Sequence, residues 1–276
     1  MTLPTPAPNR TCLVTGASSG IGVEIAREMA RRGHGVTLVA RREDRLRALA
    51  DELERDHRVR AEVVPTDLAD STQRQHLVAR LDQQGLTVDV LVNNAGVGTF
   101  GAVDDSDPER ETTVVRTDVE AVVDLCSRFV PGMVDRGIGA VLNVASTAAY
   151  QPLPGQASYG AAKAFVLSYS HAIRAELRGT GVTVTVLCPG PVHTEFGQAG
   201  GADFATRDAP LPGFMWLPAD RVAKAGVEGL ARGAAVVVPG MPNKITAAGG
   251  SILPHRLLAP LITRLHPALR RKRSRS

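Results

Sequence analysis

The chain has 276 residues, of which 43% are hydrophobic, 22% are charged and 4% are aromatic. This length and composition are typical of a globular protein with one large α/β domain. The cysteines Cys12, Cys126 and Cys188 are widely spaced and form no CxxC pair. We therefore expect neither a disulfide framework nor a metal site, and we expect a reducing, cytoplasmic setting.

The net charge of +4 is unevenly distributed along the chain. Residues 229–276 contain nine Lys or Arg and no Asp or Glu, whereas residues 1–228 contain five more acidic than basic residues. This balance argues against a nucleic-acid-binding face on the body of the protein. No apolar run reaches the length of about eighteen residues that a membrane-spanning helix needs.

Hydrophobic patterning divides the chain into three parts. Residues 1–10 predict a flexible, proline-rich arm, residues 11–240 a single domain, and residues 241–276 a basic extension that contains prolines. Within the domain, short runs rich in Val and Leu alternate with helical patterns. The predicted strands are residues 11–15, 35–40, 61–66, 88–93, 140–146, 182–187 and 235–238. The predicted helices are residues 20–33, 43–56, 70–84, 111–136, 157–179 and 218–231.

Repeated β-then-α units predict an α/β fold with a single doubly wound Rossmann domain and a mostly parallel seven-stranded sheet. Ligands of such open sheets bind at the carboxyl ends of the strands. Here the first predicted strand leads directly into a turn with glycines at positions 16, 20 and 22, followed by an amphipathic helix. Such a turn lets phosphate groups approach backbone N–H groups at the start of the helix.

The turn Thr15-Gly16-Ala17-Ser18-Ser19-Gly20-Ile21-Gly22 resembles the TGxxxGxG motif of the short-chain dehydrogenase/reductase family. Further motifs follow in the order that this family shows, over roughly residues 10–240, and the ordered set is far more specific than any one motif. They are Asp67-Leu68, Asn93-Asn94-Ala95-Gly96, Ser146, Tyr159-x3-Lys163 and Pro189-Gly190-Pro191-Val192-His193-Thr194.

The resemblance implies a nicotinamide dinucleotide cofactor and a hydride transfer between that cofactor and a carbonyl or alcohol carbon. The residues that it assigns to cofactor binding are Gly16, Ser18, Ser19, Gly20, Ile21, Gly22, Asp67, Leu68, Asn94, Ala95, Gly96, Tyr159, Lys163, Pro189, Gly190, Val192 and Thr194. It assigns Tyr159 as the general acid and base, with Ser146 hydrogen-bonded to the substrate oxygen. Lys163 binds the nicotinamide ribose and lowers the pKa of the tyrosine in this interpretation.

The choice between NAD(H) and NADP(H) depends on the residues after the second predicted strand, near the ribose 2′ position. An acidic residue there favours NAD(H), but this chain has Arg41 and Arg42. An arginine can form two charge-assisted hydrogen bonds to a phosphate, whereas a helix N-terminus alone disfavours cations. The arginines therefore predict NADP(H), although they could instead only flank a solvated helix start.

One position departs from the family pattern. The family often has an asparagine in the helix after the fourth strand, where it helps to hold a water for proton relay through the lysine. This chain has Asp118 in the corresponding stretch. An aspartate could accept a hydrogen bond from the same water, but its charge would change the field at Lys163. Asp118 is therefore a fourth candidate catalytic residue.

Several alternatives remain open from the sequence. The substrate class that the apolar segment 195–217 favours is a 3-oxoacyl compound, a steroid or another apolar ketone. A non-catalytic nucleotide sensor or scaffold that retained the fold is the rival function, and a sugar epimerase fits less well because its glycine spacing differs. The resemblance implies a homo-dimer or tetramer formed through the helices at about 111–136 and 157–179.

The basic extension permits two interpretations. Leucines recur every four residues from Leu253 to Leu269, and six basic residues lie between Arg264 and Arg275. The segment could pack on its own or a partner subunit, or it could bind the surface of an anionic membrane. The second interpretation would make the protein peripheral to a membrane.

Overall fold

A computed structural model of the chain describes residues 3–196 and 212–253 together with residues 256, 258, 260 and 263. Within these residues seven parallel strands form one sheet in the order β3-β2-β1-β4-β5-β6-β7. The predicted Rossmann fold is confirmed. The strands are β1 (Arg10–Thr15), β2 (Gly35–Ala40), β3 (Ala61–Pro65), β4 (Thr87–Asn93), β5 (Gly139–Val144), β6 (Val182–Leu187) and β7 (Val236–Val237).

Helices connect the strands and cover both faces of the sheet. Those of the described residues are α1 (Gly20–Arg31), α2 (Glu43–His57), α3 (Ser71–Gln83), α4 (Pro108–Val115), α5 (Ala121–Asp135), α6 (Ala157–Glu176), α7 (Ala219–Ala231) and α8 (Met241–Ile252). Local chemistry fixes some of their starts. The Asp70 carboxylate accepts hydrogen bonds from the second and third N–H groups of α3, and Pro108 occupies the first turn of α4 after the capping residue Asp107.

The strand side chains alternate between two apolar layers, as the two-residue period of a strand requires. In β1, Cys12 and Val14 pack into one layer with α1, α2 and α7, whereas Leu13 packs into the other with α3, α5 and α6. Both faces of the central strands are thus buried, which explains their continuous Val and Leu runs. The core therefore holds the sheet rigidly and leaves its carboxyl edge to the loops.

The strand order reverses at the centre of the sheet. β1 has β2 on one side and β4 on the other. Up to β3 the chain adds strands toward one edge of the sheet, and from β4 onward it adds them toward the other edge. Adjacent loops diverge at such a switch point and leave a crevice at the carboxyl ends of the strands. The glycine turn follows β1 and the Asn93–Gly96 motif follows β4, so the topology brings both predicted motifs to this crevice.

Several elements differ in detail from the sequence prediction. The predicted strand 140–146 ends at Val144, which leaves Ser146 in the loop that follows. The predicted helix 111–136 begins earlier, at Pro108, and a single π-helical turn at Arg116–Glu120 interrupts it. The basic extension begins with the helix α8, which packs beside the turn Thr147–Tyr150 after Ser146. At the other end, Leu3 packs against the core.

Most of the predicted amphipathic tail lies outside the described residues. Of its leucines, Leu253 is about half exposed and Leu258 is buried. The membrane interpretation of this tail therefore stays a prediction. Among the residues that the structure describes, no helix combines the length and apolarity that crossing a membrane requires.

Candidate active site

The turn after β1 provides a backbone cradle at the start of α1. Gly16 has φ +68°, a conformation that L side chains rarely adopt. Gly22 could not carry a side chain, because a Cβ there would lie 2.3 Å from the Gly16 carbonyl oxygen. Ser18, Ser19 and Ile21 complete a turn whose backbone can therefore come close to a bound phosphate group, with the N–H groups of the first helical turn directed toward it.

Thr15 joins this turn to the motif after β4. Its hydroxyl donates to the Val92 carbonyl at 3.1 Å and accepts from the backbone N–H groups of Asn94 and Ala95 at 2.9 and 3.0 Å. The Asn94 amide donates in return to the Thr15 carbonyl at 2.9 Å. The two loops at the switch point therefore form one hydrogen-bonded unit.

The two predicted specificity arginines differ in their surroundings. Arg41 is exposed, whereas Arg42 lies against the glycine turn and donates from Nη2 to the Ser18 hydroxyl at 3.0 Å. Another Arg42 nitrogen contacts Glu195 at 2.9 Å, and Arg45 contacts the same carboxylate at 2.8 Å. Three arginines thus lie near the end of β2, and Arg42 is the one held at the phosphate turn.

The predicted cofactor-binding residues Asp67 and Leu68 lie at the end of the neighbouring strand β3. The Asp67 carboxylate accepts a hydrogen bond from the Ala69 N–H at 3.0 Å, and the Leu68 side chain is buried. Arg74, itself fully buried, donates to the Leu68 carbonyl at 2.6 Å and pairs with Asp124 on α5 at 2.7 Å. These contacts fix the Asp67-Leu68 segment beside the end of β2.

Ser146, Tyr159 and Lys163 converge beyond the carboxyl end of β5. The Ser146 hydroxyl accepts from the Ala148 N–H at 3.1 Å, which fixes the short turn that begins there. Tyr159 and Lys163 lie one turn apart on α6, with the Lys163 ammonium 5.6 Å from the centre of the Tyr159 ring. Lys163 is buried and donates to the Val144 carbonyl at 3.2 Å. The geometry groups the three residues that the sequence predicted as catalytic.

Asp118 forms a buried ion pair with Lys163. Its Oδ2 atom lies 2.9 Å from the lysine Nζ, and its Oδ1 accepts from the Val97 N–H at 2.8 Å. The aspartate has no exposed surface and lies on the π-helical turn Arg116–Glu120. Gly96 packs on the pair, since a Cβ there would lie 2.8 Å from Asp118 Oδ2. Both carboxylate oxygens therefore face donors within the protein.

The pKa of Tyr159 differs from the sequence expectation. Burial raises this pKa above its ordinary value, the nearby Lys163 ammonium and a hydrogen bond with Ser146 lower it, and Asp118 raises it further. The net direction is upward, so the expected lowering by Lys163 is outweighed by the chain's own desolvation. For Lys163, burial lowers the pKa, but Asp118 and Tyr159 more than compensate and raise it. Burial raises the pKa of Asp118 despite the attraction of Lys163.

The loop after β6 closes the other side of the crevice. Thr194 lies over the phosphate turn, because a Cβ on Gly20 would be 2.8 Å from its methyl group. Val192 forms a β-bridge with Leu217, which draws the segment before α7 toward this loop. Pro189 accepts hydrogen bonds at its carbonyl from the Thr147 N–H and the Ser146 hydroxyl. The motif that starts at Pro189 and Gly190 thus touches both the glycine turn and Ser146.

Aromatic side chains border Tyr159, the predicted general acid and base. The Phe196 ring lies 5.3 Å from the Tyr159 ring and also packs on Gly98. His193 stacks on Trp216 with ring centres 5.0 Å apart. In the described part of the chain no group of three His, Cys, Asp or Glu side chains could hold a metal ion.

Sequence reasoning missed several residues that the structure brings to the site. Thr15, Val97 and Arg45 were not predicted to act there, and Glu195 and Phe196 were included only as part of the apolar segment 195–217. Thr15 is part of the quoted glycine motif, so its position could have suggested a role. The other contacts are tertiary and leave no local pattern, because the paired residues are far apart along the chain.

Comparisons with known proteins agree with this geometry. The family described as "short chain dehydrogenase" matches residues 10–203, and the chain belongs to this family of oxidoreductases that act on alcohol and carbonyl groups. A curated relative, sulfoacetaldehyde reductase 2 from Chromohalobacter salexigens, is 37% identical over 215 residues. That alignment covers 77% of this chain and 84% of the relative.

Two solved structures are similar over most of the chain. A short-chain dehydrogenase from Sphingobium yanoikuyae in complex with NADPH has a TM-score of 0.78 and 32% identity, covering 88% of this chain and 93% of that one. A short-chain dehydrogenase/reductase from Burkholderia phymatum in complex with NAD has a TM-score of 0.76 and 26% identity, covering 87% and 92%. The fold thus binds nicotinamide dinucleotides, and these neighbours differ in which one they hold.

The first testable prediction concerns the charge of Asp118. The Asp118→Asn change removes a negative charge that favours the proton on Tyr159, so deprotonation of the tyrosine becomes easier. We expect the alkaline limb of the reduction rate, where the acid is lost, to shift to lower pH. The pH dependence of kcat in both variants measures this shift, and nucleotide affinity serves as the control.

The Asp118→Ala change tests the structural part of the same pair. It leaves Lys163 as a buried, uncompensated charge, and breaking such a pair costs about 3–5 kcal/mol of unfolding free energy. We expect slower turnover, a shifted pH profile and this loss in a denaturant titration. If the variant has the parent's stability and the parent's rates at every pH, Asp118 neither stabilises the fold nor influences proton transfer.

Proposed function

We propose that this protein is an NADP(H)-dependent oxidoreductase that interconverts a neutral, apolar ketone or 3-oxoacyl compound and the corresponding secondary alcohol. The observation that carries the proposal is the convergence of Ser146, Tyr159 and Lys163 at the carboxyl edge of the sheet. These residues face the crevice that the glycine turn and the Asn94–Gly96 segment enclose. A serine, a tyrosine and a buried lysine at this place suit proton transfer to a substrate oxygen.

The residues of the crevice fit a nicotinamide dinucleotide. The Gly16–Gly22 turn leaves room that a Cβ would fill, which suits a pyrophosphate at the start of α1. Asp67 and Leu68 would flank the adenine, Lys163 the nicotinamide ribose, and Thr194 the phosphates. When bound, the nicotinamide supplies or accepts the hydride.

The chain's own groups would manage the proton in each direction. In reduction the Tyr159 hydroxyl donates its proton to the carbonyl oxygen, while the Ser146 hydroxyl holds that oxygen in place. The raised pKa keeps Tyr159 protonated at neutral pH, which suits an acid. In oxidation the tyrosine must first lose this proton, which Asp118 disfavours. The charge arrangement therefore supports Tyr159 as the proton donor when the carbonyl is reduced.

Electrostatics and packing support a neutral, apolar substrate. Among the described residues, the charges that act on Tyr159 are those of Lys163 and Asp118, and this pair carries no net charge. A substrate anion would therefore meet no net positive charge from this described pair. Phe196 instead offers an aromatic surface beside the tyrosine.

A substrate series tests this proposal. NADPH oxidation would be followed with neutral ketones of increasing size and, as anionic controls, with sulfoacetaldehyde and a 3-oxo acid. We expect the neutral, apolar ketones to have at least about tenfold higher kcat/KM, the difference that roughly 1.4 kcal/mol of transition-state binding produces. Higher kcat/KM for the anions would contradict the substrate class, and no turnover with intact NADPH binding would favour a nucleotide sensor.

The Tyr159→Phe change tests the proposal that Tyr159 donates the proton in reduction. Loss of the hydroxyl removes proton transfer, which typically contributes about 10²–10⁴-fold to the rate. We expect kcat to fall by this factor, while the affinity for NADPH in a calorimetric titration stays near that of the parent because the ring still packs on Phe196. Turnover at the parent's rate would remove Tyr159 from the proposed role.

The preference for NADPH over NADH tests the proposed role of Arg41 and Arg42 in binding the 2′-phosphate. Each charge-assisted hydrogen bond to a phosphate contributes about 1.5–3 kcal/mol, so the parent should bind NADPH at least about tenfold more tightly than NADH. We expect Arg42→Ala to reduce this preference more than Arg41→Ala, because only Arg42 is held at the phosphate turn. Equal affinities for both nucleotides in the parent would contradict the proposed cofactor.

A further inference from the structure

Glu195 joins two elements that are distant in sequence. Its carboxylate Oε2 lies 2.9 Å from Arg42 and 2.8 Å from Arg45, two arginines at the beginning of α2. Its Oε1 accepts a second hydrogen bond from Arg45 at 2.9 Å. The loop after β6 is thereby tied to the end of β2 by a single acidic side chain.

The arginines that Glu195 contacts lie where a ribose 2′-phosphate would be bound. Arg42 donates to the Ser18 hydroxyl in the glycine turn with the same guanidinium that contacts Glu195. Arg45 lies three residues further along α2, and residues at this spacing share one helix face. A 2′-phosphate in this corner would use the same donors as the Glu195 carboxylate.

We propose that Glu195 determines cofactor specificity by competing with the 2′-phosphate of NADP(H) for Arg42 and Arg45. This inference rests on the proposed NADP(H) function. The carboxylate is a built-in counter-ion that neutralises part of the arginine cluster and must leave when the phosphate binds. Two anions cannot share these two arginines at hydrogen-bonding distance without strong mutual repulsion.

The contact is suited to exchange because it is exposed. The side chains of Arg42, Arg45 and Glu195 are 41%, 43% and 46% exposed, respectively. Ion pairs with this exposure contribute little to stability, so a phosphate with greater charge can replace the carboxylate. NAD(H), which has a 2′-hydroxyl in place of the phosphate, does not need this replacement.

Displacement of Glu195 would also reach the catalytic tyrosine. Glu195 immediately precedes Phe196, whose ring packs against Tyr159, and follows Thr194, which lies over the glycine turn. The 2′-phosphate would therefore act on the same short segment that covers the catalytic site.

The Glu195→Gln change tests the competition, with calorimetric affinities for NADPH and NADH as the readout. Removal of the negative charge leaves the arginines free for the phosphate, so we expect NADPH to bind about three- to tenfold more tightly. We expect the affinity for NADH to change by less than about twofold. A gain of this size is expected because the phosphate no longer has to displace the exposed Glu195 ion pair and no longer lies beside its negative charge.

Glu43→Gln is the matched control. Glu43 adjoins Arg42 and is similarly exposed, at 48%, but it pairs with Arg47. This variant removes the same charge from the same surface, so we expect less than about a twofold change for either nucleotide. If the affinity for NADPH rises equally in both variants, the gain comes from the changed net charge of this surface. That result would overturn the proposed competition.

The outcomes separate the inference from the proposed function. Weaker NADPH binding by Glu195→Gln would mean that the carboxylate positions the arginines, and unchanged or equally improved binding of both nucleotides would mean that it has no part in specificity. Each of these results overturns the competition. The proposed cofactor is tested separately by the parent protein, which must bind NADPH more tightly than NADH.

Discussion

The buried ion pair between Lys163 and Asp118 is the contact on which the site depends. It links α6, which carries Tyr159, to the π-helical turn before α5 and, through Val97, to the loop after β4. Removing either charge alone would leave the other buried and uncompensated. π-Helical turns are often found at functional sites, and here the turn places the carboxylate on the lysine. The electrostatic character of the catalytic group follows from this pair.

That pair acts within a crevice that the sheet topology supplies. Parallel strands bring their carboxyl ends to one edge, and the reversal of strand order between β1 and β4 opens a space there. Thr15 then connects the two loops at this point, because its hydroxyl accepts hydrogen bonds from the backbone N–H groups of Asn94 and Ala95. Packing of the sheet between two apolar layers positions these loops.

Charge is organised differently at the two ends of the crevice. At the catalytic end the lysine is neutralised by a buried aspartate, and the exchange of either charge would be costly. At the other end the arginines are partly neutralised by the exposed Glu195, whose contacts are weak and easily replaced. The segment from Thr194 to Phe196 touches both ends. Burial thus distinguishes a permanent counter-ion from an exchangeable one.

The sequence alone determined the fold class and the order of the motifs, and it predicted Ser146, Tyr159 and Lys163 as catalytic residues, because buried strands, glycine turns and helical spacing leave local patterns. It also indicated that Asp118 departs from the family, but not what the aspartate does. Only the tertiary structure decided that Asp118 pairs with Lys163, that burial raises the pKa of Tyr159, and that Glu195 meets Arg42. These effects depend on the distance and solvent exposure of groups that are remote in the chain, which no local pattern encodes.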